Sequence, residues 1–110
     1  MNKKFYKSKE EIKPIAVGYG ACMATDHITV EGKKIGYMYR EEPSESMAAD
    51  NGWRFFSGEE SQEYVDNADN SCFYDTNTIA NYDESITPYL EAPIGSAFAK
   101  NENGEFIEDS

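Results

Sequence analysis

Residues 35–56, IGYMYREEPSESMAADNGWRFF, decide how this chain folds. The first arm alternates, with Ile35, Tyr37 and Tyr39 on one face and Gly36, Met38 and Arg40 on the other. The second arm, Trp53–Phe56, puts Trp53 and Phe55 on one face and Arg54 and Phe56 on the other. Between them, Glu41–Gly52 is polar and punctuated by Pro43 and Asn51-Gly52, so it reads as a mobile loop joining two neighbouring strands.

Working outward, residues 15–25 (IAVGYGACMAT) are uncharged and contain two glycines, which predicts a buried strand entered through a flexible bend. Ile28 and Val30 flank Glu31-Gly32 together with Ile35, and this spacing predicts a hairpin. Residues 1–14 read as a polar N-terminal leader ahead of a single domain over 15–110. In the leader Ser8 and Glu11 have capping-box spacing, and Pro14 stops any helix. Downstream, Ser57–Glu60 repeats the capping-box pattern ahead of a short helix, and Cys72–Tyr74 is a short strand. Asp75 or Thr76 caps a helix to Asn81, and a second helix starts at Asp83 and restarts at Thr87-Pro88. Ile86, Tyr89 and Leu90 share one side of it. Ser96–Lys100 and Glu105–Ile107 around Asn103-Gly104 form a closing hairpin. The expected fold is α+β: a single domain with a mainly antiparallel sheet of about five short strands and two or three short helices inserted in the second half.

The chain has 110 residues, a net charge of −11 and fifteen aromatics. One core fits that length, and the aromatics argue against disorder. The charge is lopsided: residues 1–40 carry a net +4, while residues 41–91 hold thirteen acids against one base, Arg54. Such a middle disfavours nucleic acid and anionic membranes as partners, because phosphate binding needs Lys and Arg. A basic protein partner fits better, although solubility alone also favours acidic surfaces. No apolar run is long enough to span a bilayer, and the basic start lacks the apolar core of a signal peptide. Two cysteines fifty positions apart do not make a disulfide scaffold, so a cytoplasmic, reduced protein is expected.

Chemical motifs are sparse. Cys22 and His27 are the only nucleophile–base pair close in sequence, and Cys22 lies in the most apolar stretch, where a thiol is usually inert filler. No metal site is expected: three Cys and His residues lack paired spacing, and the run Asp66–Ser71 fails the calcium-loop pattern in both registers, reading instead as a capped turn. No phosphate loop is present, no cofactor is implied, and no catalytic residue is assigned. The remaining signal is Tyr37, Tyr39, Arg40, Trp53 and Arg54 beside the acidic loop, since Trp, Tyr and Arg dominate interface hot spots. The plainer reading makes Trp53 core and ties Arg40 and Arg54 to local carboxylates.

Three strings carry a family resemblance: Gly36–Pro43 (GYMYREEP), Gly52–Glu60 (GWRFFSGEE) and Asn77–Phe98 (NTIANYDESITPYLEAPIGSAF). Together with Ala21-Cys22 and the Asp26–Gly32 approach, they make residues 20–100 resemble a family of small bacterial proteins described as an immunity-protein domain of polymorphic toxin systems. The resemblance implies a non-enzymatic antidote that binds a cognate toxin and carries no catalytic residues. Acidic side chains standing in for substrate phosphates would suit a basic nuclease as that toxin. On this reading Glu41, Glu42, Glu45 and Asp50, with Glu59, Glu60 and Glu63, supply interface charge, and Tyr39, Arg40 and Trp53 are the anchors. Two other functions compete. One is a small-molecule or peptide-binding module with a pocket between the Tyr37/Tyr39 strand and the Ile79–Leu90 region. The other is a thiol enzyme using Cys22 and His27.

Overall fold

Six strands form one sheet in the computed structural model, which describes residues 3–109. They are β1 (Ala21–Thr25), β2 (Tyr37–Arg40), β3 (Asp50–Phe56), β4 (Ser71–Asp75), β5 (Ala97–Lys100) and β6 (Phe106–Glu108), in the order β4-β1-β3-β2-β5-β6. The α+β class holds, but the sheet has six strands rather than five, and it is mixed. Four neighbouring pairs are antiparallel, whereas β1 runs parallel to β3.

That parallel pair exists because the hairpin expected around Glu31-Gly32 does not form. Asp26 instead opens a short helix, α1 (Asp26–Thr29), which buries Ile28 and Thr29 completely. Gly32 (φ +75°) donates its N–H to Ile28 O at 3.1 Å, so this glycine closes the helix rather than a strand turn. The chain then crosses over, and β2 joins β3 on the side away from β1. Ile35 precedes the strand and turns into the core, away from the face of Tyr37 and Tyr39.

The helices are spread more widely than the expectation, which confined them to the second half. Besides α1 there are α2 (Gln62–Asp66), α3 (Thr76–Tyr82) and 3₁₀ turns at Lys9–Glu11, Ala68–Asn70 and Glu84–Tyr89. The Ser8/Glu11 capping box closes the first 3₁₀ turn. Asp75 caps α3 by accepting from Asn77 N, and Asp83 caps the Glu84–Tyr89 turn through Ser85 N. Pro88 lies inside that turn, so Thr87 starts no new helix. The Ser57–Glu60 box forms its Ser57 N to Glu60 Oε2 bond at 2.8 Å, yet α2 begins later, capped by Ser61. Glu60 is drawn inward by Thr25 instead of lying along a first turn.

One face of the sheet carries the core. Cys22, Ala24, Met38, Trp53 and Phe55 meet Ile28, Ile79, Ala80, Ile86 and Leu90, with Tyr89 and Phe98 packed alongside. Removal of this apolar area from water is the main stabilising term. Trp53 is fully buried, and its Nε1–H donates to Leu90 O at 3.0 Å. Among the described residues no buried side-chain nitrogen or oxygen lacks a partner.

The strand β3 is longer than the WRFF segment because Asn51-Gly52 is a bulge within it, not a turn before it. Register against β1 slips between Ala21↔Asp50 and Met23↔Arg54. Gly52 has φ +92°, and a Cβ there would lie 2.1 Å from Glu41 O. In a regular strand residues four apart are separated by about 13 Å. The bulge turns Asp50 back so that its carboxylate meets the Arg54 guanidinium at 2.8 and 2.9 Å.

Candidate functional site

Helices α1 and α3 and the Glu84–Tyr89 turn all pack on the core face, which leaves the opposite face of the sheet for other work. On that second face Tyr39 stacks on Phe56 (centroids 5.7 Å apart, planes 12° apart), and Tyr37 lies within about 6 Å of both rings. All three rings are half-buried. Val65 of α2, itself exposed, overhangs one end. Between this overhang and the loop after β2 lies a cavity of about 260 Å³, walled by Met23, Tyr39, Phe56, Val65 and Phe73 and reaching Arg54 and Glu41. A wider, shallower groove continues past Tyr37 to Gly58 and Gln62.

Arg54 sits beneath the cavity, 5% exposed. Its Nε donates to Glu41 Oε2 at 2.6 Å, and its terminal nitrogens clasp both oxygens of Asp50. The guanidinium also lies 5.8 Å from the Phe73 ring centroid. Asp50 accepts two further bonds, from Ser44 N at 2.7 Å and Gly52 N at 2.9 Å, and the first of these pins the acidic loop. The Arg54 bonds, ahead of the opposing effect of burial, hold the Asp50 carboxyl at about 2, and the same carboxylate raises Arg54 above its ordinary value.

The ten residues expected to meet a partner do not lie on one surface. Tyr39, Glu41 and Glu42 edge the open face, and Glu45 is exposed in the loop. Glu63 is exposed on α2, and Glu59 is exposed but engaged by Lys33 at 2.8 Å. Three of the ten are enclosed within the fold rather than presented at its surface. Trp53 belongs to the core, the Asp50 side chain is fully buried by its ion pair, and the Glu60 side chain is 2% exposed. Burial pushes the Glu60 carboxyl up, but bonds from Thr25, Ser57 and Gly58 outweigh this and keep it below its usual range. Arg40 lies on the Trp53 side of β2, 5.9 Å from that ring, and donates to the carbonyls of Asn51 and Ala92 rather than to a carboxylate.

The two competing sites fare worse. The space between β2 and the Ile79–Leu90 region is filled by core side chains, because Tyr37 and Tyr39 point away from it. Cys22 is fully buried and burial pushes its thiol up to about 12. His27 turns to Ser57, with Nδ1 2.7 Å from its Oγ, and packs on the Tyr64 ring. A water-soluble thiol reagent is therefore expected to leave Cys22 unmodified in the folded protein and to reach it only in denaturant. Rapid labelling of Cys22 under native conditions, read by peptide mass mapping, would refute this.

Sequence reasoning missed the Asp50–Arg54–Glu41 cluster as a unit. The plainer sequence reading does tie Arg54, the sole base among thirteen acids in residues 41–91, to local carboxylates, and the structure identifies them as Glu41 and Asp50.

The geometry defines a two-layer α+β scaffold with one sheet face open, aromatic and edged by carboxylates. The profile of the immunity protein Imm33 domain matches residues 22–110, and the chain belongs to that family. The match begins in β1 and runs through β6, so it includes the whole open face and extends beyond the strings that suggested it. No curated protein and no solved structure gives a significant match. Family membership points to a toxin-neutralising role. No helix among the described residues is long and apolar enough to cross a membrane.

Proposed function

We propose that this chain is a cytoplasmic antidote that neutralises a cognate bacterial toxin by stoichiometric binding across the open sheet face. One observation carries the placement: the rings of Tyr37, Tyr39 and Phe56 stay half-buried on the face opposite the helical core layer, overhung at one end by Val65 of α2, beside exposed carboxylates. Aromatic area at the centre with charge at the rim is the arrangement of a protein interface. The exposed acids around it, Glu42, Glu45 and Glu63, favour a basic partner such as a nuclease, and their field speeds encounter.

Among the described residues these three acids form no side-chain hydrogen bond or ion pair, so they test the surface at little cost to the fold. Reversing all three to lysine is expected to slow association with the toxin encoded beside this gene about tenfold at low salt. The difference should shrink as salt rises, while thermal stability stays within roughly 0.5 kcal/mol. Stopped-flow association over a salt series measures it. An unchanged rate at every salt concentration would remove these residues from the surface. Absence of any complex with the purified toxin would remove the function.

A further inference from the structure

We infer that the cavity above Arg54 is the socket for one lysine or arginine side chain of the toxin. This rests on the binding reading above and names the chemistry of its central contact.

Size comes first. At about 260 Å³ the cavity has room for a single long side chain, and it opens toward the shallower groove past Tyr37 from which a protein partner would reach it. Its walls are apolar, formed by Met23, Phe56 and Val65, and would hold an aliphatic stem.

The sign of the occupant's charge follows from the groups beneath it. Both oxygens of Asp50 are saturated, each by an Arg54 nitrogen and a backbone N–H. Asp50 therefore neutralises Arg54 within the fold, and Arg54 directs four of its five N–H groups to Glu41, Asp50 and the Trp53 carbonyl. Glu41 is left as the surplus charge. Only its Oε2 is engaged by Arg54; among the described residues its Oε1 accepts no hydrogen bond, and the side chain is half exposed at the cavity rim. The socket is thus an aromatic-walled recess of net charge −1. A cation entering it meets a free carboxylate oxygen beside the rings of Tyr39 and Phe56, whereas an anion meets the Glu41 carboxylate and an arginine already engaged.

Glu41→Gln tests this with little structural cost, because the amide oxygen can still accept from Arg54 Nε while the surplus charge is gone. Toxin affinity is expected to fall about tenfold in Glu41→Gln. It should stay within twofold in Glu84→Gln, a control on the helical layer. A second measurement needs no toxin. N-acetyl-arginine methylamide, titrated into the labelled protein, should shift the Met23 methyl and Phe56 ring resonances saturably at millimolar concentration. Glu41→Gln should lose that response, and the norleucine and glutamate amides should not produce it. Equal shifts from norleucine or glutamate, no shift from arginine or lysine amides, or unchanged toxin affinity in Glu41→Gln would each overturn the socket. A toxin that binds wild type and Glu41→Gln alike removes the socket and leaves the antidote reading. A responsive socket in a protein that binds no toxin removes the antidote reading instead.

Discussion

Trp53→Ala should lose about 3–5 kcal/mol of folding stability, the usual cost of emptying a fully buried aromatic site. Trp53 is 0% exposed, stacks along Phe55 at 6.0 Å, lies beside Phe98 and holds the Leu90 carbonyl. A domain of this size commonly has about 5–15 kcal/mol in total, so the variant would keep only a fraction of it. Equilibrium urea unfolding measures the loss. Protection against the toxin would fall as well, but through depletion of folded protein. Tyr39→Ala separates the two causes, since it removes a ring from the open face and should weaken binding while costing far less stability. A Trp53→Ala protein with wild-type stability and no binding would return Trp53 to the interface.

Asp50→Ala should be comparably damaging, by about 3–5 kcal/mol, for an electrostatic reason. It leaves the Arg54 guanidinium in the sheet with Glu41 as its one ionic partner among the described residues, and it strips the acceptors from Ser44 N and Gly52 N. The same residue sets an acid limit. Its carboxyl titrates at about 2 in the folded protein and near 3.8 when unperturbed, so the unfolded chain binds the proton first. The resulting stabilisation, about 2 kcal/mol, is complete above roughly pH 4 and drains away as pH falls through 2. Asp83, held below its ordinary value by Lys100 and Ser85 against the opposing effect of burial, adds in the same direction. Unfolding free energies measured from pH 6 to pH 2 should fall less steeply in Asp50→Ala than in wild type. Parallel curves would show that the ion pair contributes no acid sensitivity.

Local chemistry was legible wherever a structure depends on neighbours in sequence. The Asp75 cap of α3 and the Asn103-Gly104 turn between β5 and β6 are of that kind, as is the alternation that sets Tyr39 and Arg54 opposite Trp53 and Phe55. What could not be read depends on distant partners. Asn51-Gly52 has turn chemistry, but a bulge uses the same backbone freedom, and only the β1 pairing distinguishes them. Glu31-Gly32 closes a helix because Ile28 finds a buried place against the sheet. The candidate surface divided for a related reason. Alternation assigns residues to two faces without saying which face the helices will cover, so Tyr39 and Trp53 read as joint anchors although they lie on opposite sides. Likewise a count of acids does not separate Glu42, free in solvent, from Asp50 and Glu60, each enclosed by donors.

The parallel β1–β3 pair also governs how fast the sheet can assemble. Ala21 must meet both Asp50 and Asp75 before β1 has a neighbour on either side, so half of the sheet rests on pairings between remote parts of the chain. Loops must close before those contacts return anything, and folds of high contact order assemble slowly as a result. On the ribosome β1 waits for β4, the partner that seats it at the centre of its half of the sheet, and β6 at the far end is made last of all. A sheet of this topology is complete only after β6 has been synthesised. The lag between translation and a finished binding face is therefore written into the strand order, independently of how tightly that face binds.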